Sequence, residues 1–182
     1  MEIKGQGAMS LLQALEKELG PEAKATVLGA APEEVRCAVE GGLVASRFYP
    51  VELNAALQQA IYDTVGAQSW ELSHALGVIA ARLDFGGVYR IFLRAISNDR
   101  LWNGIERAFR QYNSQGLGRW LERTDGSARG IITGVEGYNE GLWQSVAGRC
   151  QGLLALAGAK RPRVYVIRCD STECELRATW TV

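Results

Sequence analysis

The chain has 182 residues, 47% of them apolar, and its 20 Lys and Arg balance 20 Asp and Glu. This length suits one domain with an ordinary core and no staples. The balanced charge gives no field to gather nucleic acid or acidic lipid, and no apolar run reaches the roughly 20 residues of a membrane helix. The opening MEIKGQGAMS lacks the charged, apolar and cleavage regions of a secretory signal. Four cysteines at 37, 150, 169 and 174 do not make a secreted disulfide framework. The expected location is therefore cytoplasmic.

In chain order, Leu11, Leu12, Leu15 and Leu19 form one helical face, ended by Gly20-Pro21. A short segment follows from Glu22 to Leu28, and Pro32-Glu33-Glu34 opens another helix that Gly41-Gly42 breaks. Pro50 starts a clearer helix, with Leu53, Leu57, Ala60 and Ile61 inward and Gln58 and Gln59 outward. Ser69 caps a helix running to about Leu83. Beyond Gly86-Gly87, Asn98 or Asp99 caps a last helix through Trp102, Ile105 and Phe109.

From Leu117 the pattern changes. GRWLERTDGSARGIITGVEG reads as two strands about a turn at Asp125-Gly126. Asn139 caps the apolar helix LWQSVAGRCQGLLALAG, ended by Gly158, and two further strands close the chain. The expectation is one unit over 1–182, mainly helical over 1–116 and strand–strand–helix–strand–strand over 117–182. This is an α/β fold of the α+β type, with a helical half packed on a four-stranded antiparallel sheet.

The last two strands have a legible register. With DSTE (170–173) as the loop, Cys169 faces Cys174, Arg168 faces Glu175 and Ile167 faces Leu176, while Val166 faces Arg177 and Tyr165 faces Ala178. Strand alternation then gathers Tyr165, Ile167, Cys169, Cys174, Leu176, Ala178 and Trp180 on the core face. As small buried residues the two cysteines need no special role. A disulfide is geometrically open to facing residues, though the expected compartment opposes it. A zinc site needs four ligands, and Cys150, Cys169 and Cys174 supply three candidates.

Other chemistry is sparse. His74, the sole histidine, flanks an apolar helix face. No GxSxG elbow, GxGxxG turn or phosphate loop is present. ERAFRQY (106–112) places arginines beside aromatics, but the aromatics are expected to face the core, and no nucleic-acid partner is expected. Trp102, Trp120, Tyr138, Trp143 and Trp180 are candidates to line a small apolar pocket between sheet and helices. Gly148 and Gly152 form a small-residue stripe. Each costs roughly 1 kcal/mol against alanine in a helix, so a strand or a second subunit is expected to pack closely there.

The run YNEGLWQSVAGRCQGLLALAGAKRPRVYVIRCDSTECELRATW (138–180) resembles the C-terminal unit of the superfamily of 4-vinyl reductase domains, TRAPP transport-particle subunits and haem–nitric-oxide-binding domains. Cys169 and Cys174 match its cysteine pair. KGQG (4–7), RFYP (47–50) and GRWLE (118–122) resemble an uncharacterised paralogous family of about this length, abundant in myxobacteria. The resemblance implies a ligand-binding fold, often dimeric, whose members bind haem, aromatic effectors or acyl chains, or serve as protein scaffolds. The carboxylate that zinc-bearing relatives add just before the cysteine pair is replaced here by residues of the Val166–Arg168 stretch. The Tyr-x-Ser-x-Arg haem grip is absent, and His74 lies early for a proximal ligand. The expectation is thus a non-enzymatic cytoplasmic sensor or adaptor without a metal or other cofactor, off the membrane, binding a small apolar ligand or a protein partner. The alternative is a dimerising interaction module with no ligand.

Overall fold

The apolar spacings of the N-terminal half do form helices. In the computed structural model, which describes residues 1–86 and 106–181, these are α1 (Gln6–Leu19), α2 (Pro21–Ala30), α3 (Glu33–Glu40), α4 (Val51–Thr64) and α5 (Glu71–Phe85). Ser69, expected to cap α5, lies one residue before the cap position at Trp70, and its Oγ accepts from the Glu71 amide at 3.2 Å. Residues 106–112 are also helical. The expected Asn98 or Asp99 cap and Trp102 fall outside the described residues.

Two short strands were not anticipated. β1 (Glu2–Lys4) pairs antiparallel with β2 (Phe48–Pro50). Three-residue strands carry too little alternation to be read from a sequence. Gly5 permits this pairing, because a Cβ there would lie 2.5 Å from the Val44 carbonyl oxygen and 2.8 Å from the Tyr49 ring.

The C-terminal part is β3 (Leu117–Arg123), β4 (Ser127–Thr133), α6 (Glu140–Leu156), β5 (Lys160–Cys169) and β6 (Cys174–Thr181). The sheet is antiparallel with order β3-β4-β6-β5, so the helical half and the strand–strand–helix–strand–strand order stand as expected. Asn139 caps α6, accepting from the Leu142 amide at 2.9 Å, and Gly158 leaves the helix with φ of +101°. Two buried clusters result. One lies among α1 to α5, and the other lies between the sheet and α6.

The closing hairpin departs from the expected register. Cys169↔Cys174 and Arg168↔Glu175 pair as expected, but a bulge at Ile167 then sets Val166 against Leu176, Tyr165 against Arg177 and Val164 against Ala178. One extra residue inverts the facing of everything before it. Val164 and Val166 therefore fill the core, while Tyr165 and Ile167 turn outward, 47% and 53% exposed. The exchange keeps the tyrosine hydroxyl wet and buries β-branched side chains that suit a strand.

The glycine stripe of α6 also has a different partner from those expected. Gly148 and Gly152 receive α5 of the same chain, not a strand or a second subunit. A Cβ at Gly148 would run into the His74 carbonyl, and one at Gly152 would lie 2.7 Å from Ala81 Cβ. Gly77 of α5 reciprocates against the Ser145 backbone. The two helices thus pack backbone to backbone, and this contact joins the helical half to the sheet layer.

Candidate functional site

Helix α4 lies between the two clusters, and that placement creates the site. Its Leu53, Leu57, Ala60 and Ile61 face the helical cluster as the spacing predicts. Its Val51, Asn54 and Gln58, at i, i+3 and i+7, form a second buried stripe toward the sheet layer. Gln58, expected outward, is only 1% exposed, and Asn54 is 3% exposed. A helix packed on two sides buries more than the single stripe of a surface helix. A signal for this was present. Glu52, Gln59 and Asp63 lie on one line and are the exposed residues, with Gln59 donating to Asp63 at 2.9 Å. Gln58 stands a hundred degrees away from that line.

Below Asn54 and Gln58 is a cavity of about 130 Å³. Trp120 and Gly118 of β3, Gly130 and Ile132 of β4 and Leu176 of β6 form its floor. Leu142, Val146, Cys150 and Leu153 of α6 form one wall, and Phe109 and Tyr112 contribute another. Gly130 makes room for the indole, since a Cβ there would lie 2.9 Å from Trp120 Cε3. Trp120 and Gly130 face each other across the β3–β4 pair, and the register shifts just after Trp120, leaving Leu121 outside and 54% exposed.

The polar groups around this cavity are mostly engaged. Arg149 donates to Asp84 Oδ2 at 2.6 Å, to Ser10 Oγ at 2.7 Å and to the Gly7 carbonyl at 3.3 Å. Gln6 Nε2 donates to the other Asp84 oxygen at 2.6 Å, so one ion pair ties α1, α5 and α6 together. Tyr138 Oη donates to Asn113 Oδ1 at 2.8 Å, and burial pushes the phenol well above its ordinary range. Burial and the Asp84 charge raise Tyr112 likewise. Glu106 accepts from the Trp120 amide at 3.1 Å. Two atoms differ. Among the described residues Asn54 Nδ2 and Gln58 Oε1 are buried with no hydrogen-bond partner. Such groups are uncommon in folded proteins, because each forfeits its bond to water.

The aromatic candidates separate. Trp120 and Tyr138 line the cavity. Trp143 is fully buried behind it, stacked on Tyr138 at 4.3 Å between centroids, with its Nε1 donating to the Asp170 carbonyl at 2.6 Å. Trp180 packs half-buried on the sheet cluster and is not on the cavity wall. Trp102 lies outside the described residues. Of the cysteines, Cys150 and Cys174 are buried, Cys169 is partly so and Cys37 is exposed, all with free thiols. Burial pushes the Cys150 thiol up to about 12, and it raises Cys174 and Cys169 too. Among the described residues no group of three or more His, Cys, Asp and Glu could hold a metal ion. His74, on α5, meets α6 away from the cavity, with Nε2 3.2 Å from Gln151 Oε1.

On the outer face of the sheet, Glu175 accepts from Arg129 Nε at 2.6 Å and Arg168 Nε at 3.0 Å. These bonds hold its carboxyl below the usual range. Among the described residues no helix is long and apolar enough to cross a membrane.

No family model and no curated protein matches the chain. Solved structures do. The Fe(II) unliganded H-NOX protein from K. algicida superposes with a TM-score of 0.69 at 14% identity, over 99% of this chain and 97% of that one. The H-NOX protein from S. oneidensis in the Fe(II)NO state gives 0.65 at 12%, over 99% and 100%. The IWP-051-bound H-NOX from Shewanella woodyi gives 0.65 at 14%, over 97% and 94%. At such identities the likeness is one of fold, end to end.

Proposed function

We propose that the chain is a non-enzymatic cytoplasmic sensor or adaptor that binds a small, largely apolar ligand between α4, α6 and the sheet. The observation that carries this reading is the apolar cavity of about 130 Å³, whose lining includes Asn54 and Gln58, each with one buried amide atom that has no partner. A concave, mainly apolar space with a few convergent polar groups is the usual form of a small-molecule site. We take 1–182 as one unit, and we place the chain with the myxobacterial family that KGQG, RFYP and GRWLE resemble. Two of those segments reach the cavity, and the third packs on the first. Gly7, Gly118 and Trp120 line the cavity, and Tyr49 packs over Gly5.

Haem, which the H-NOX fold brings to mind, finds no fitting axial ligand among the described residues of the cavity. Its iron takes an axial imidazole, thiolate, thioether or phenolate. The sole histidine pairs with Gln151 away from the cavity, the Cys150 thiol titrates only at about 12, and Tyr112 and Tyr138 are raised by burial. The non-enzymatic reading is supported by His74 itself, whose partner is an amide and not a hydroxyl or thiol. Tyr165 and Ile167, outward on edge strand β5, give a partner or a second copy apolar contact.

Native mass spectrometry of freshly purified protein tests the reading and reports subunit number. The expected spectrum carries a small-molecule adduct lost on gentle activation. A bare chain that takes up no apolar probe of benzene size overturns it.

A further inference from the structure

We propose that the cavity selects a neutral, single-ring molecule bearing one hydroxyl group, held by Asn54 and Gln58. This deepens the ligand-binding reading and rests on it. The size follows from the volume. A dry cavity of about 150 Å³ lined by aliphatic and aromatic side chains accepts benzene, and this one is about 130 Å³, floored by Trp120, Ile132 and Leu176.

The polar end follows from the two amides. Asn54 and Gln58 stand one turn apart on α4, both line the cavity, and both are at least nine-tenths buried. Asn54 Nδ2 is a donor without an acceptor and Gln58 Oε1 an acceptor without a donor, and they do not bond to each other. A hydroxyl satisfies both at once, because its oxygen accepts from Nδ2–H while its own hydrogen goes to Oε1. A carboxylate would set its lone pairs against Oε1. An ammonium would leave Nδ2–H without an acceptor. The guanidinium on the same wall does not invite an anion either, since Arg149 is already engaged by Asp84, Ser10 and the Gly7 carbonyl.

Phenol and toluene have the same shape and differ only in hydroxyl against methyl, so calorimetric titration of the whole chain with each is the test. Cyclohexanol against methylcyclohexane separates an aromatic source from an aliphatic one. Toluene is the greasier probe and would win in a merely apolar cavity. The hydroxyl probe is expected to bind wild type about tenfold to a hundredfold more tightly, since its apolar twin leaves two buried groups unpaired. In the double variant Asn54→Leu, Gln58→Met the order reverses. That variant keeps the side-chain shape and removes two unpartnered polar groups, so it is expected to melt no lower than wild type. Toluene binding wild type as tightly as phenol, with methylcyclohexane matching cyclohexanol, overturns the hydroxyl preference and leaves the cavity reading standing. If none of the four probes binds, both fall.

Discussion

Replacing Gly148 with alanine tests the contact that joins the two layers. In an isolated helix the change stabilises by roughly 1 kcal/mol. Here the new methyl would meet the His74 carbonyl and lie 3.1 Å from the Val78 amide nitrogen. Both are backbone atoms, so no rotamer change relieves the clash. The helices must part, and the reciprocal Gly77–Ser145 approach must open with them. Overpacking costs typically 1–3 kcal/mol, and a rigid backbone obstacle places this case at the upper end. The net loss is about 2 kcal/mol, or a fall in Tm of about 4–8 °C for a chain of this length. Gly29→Ala in α2 is the matched control, because nothing lies within 4 Å of its added Cβ. There the propensity gain survives and Tm rises by about 2–4 °C. Urea unfolding followed by tryptophan fluorescence, with m-values compared, measures both. If the two variants shift stability in the same direction, the backbone-to-backbone packing of α5 on α6 is refuted.

Two further expectations concern titrating groups. Glu175 has a folded pKa below its ordinary 4.5 because Arg129 and Arg168 donate to it. Its contribution is therefore complete above pH 4.5 and is lost as the pH falls through the folded value. Stability should drop on acidification below pH 4.5, and Glu175→Gln should weaken the neutral protein while flattening that acid slope; equal slopes would show that the arginine clamp does not form. For the thiols, the exposed Cys37 should react fastest with a disulfide reagent, Cys169 more slowly, and Cys150 and Cys174 only at the rate of unfolding. A Cys174 that reacts as fast as Cys37 would place it at the surface.

The strand–strand–helix–strand–strand order, the Asn139 cap and the Cys169–Cys174 pairing were all readable in the chain. Each rests on local rules acting over a few residues, where a turn or cap needs particular side chains. The bulge at Ile167 was not readable. Before and after the slip the strand presents apolar residues inward, Tyr165 and Ile167 in one case and Val164 and Val166 in the other. Only packing against α6 and β6 chooses between them. The same holds for the candidate site. Trp120 and Tyr138 were visible as aromatics, but Trp143, equally visible, is core behind the cavity.

Asn54 and Gln58 mark the boundary between the two kinds of information. Periodicity records how apolar residues repeat along one helix, and by that measure an amide beside a leucine stripe belongs to solvent. Whether a second layer covers it is a matter of where the rest of the chain lies. The sequence by itself determined most of the helices, the strand–strand–helix–strand–strand order and the pairing at the tip of the closing hairpin. Only the tertiary structure set α4 between two clusters, turned the glycine stripe inward onto α5 and closed apolar walls beneath two amides, because burial belongs to neighbours brought together from distant positions in the chain.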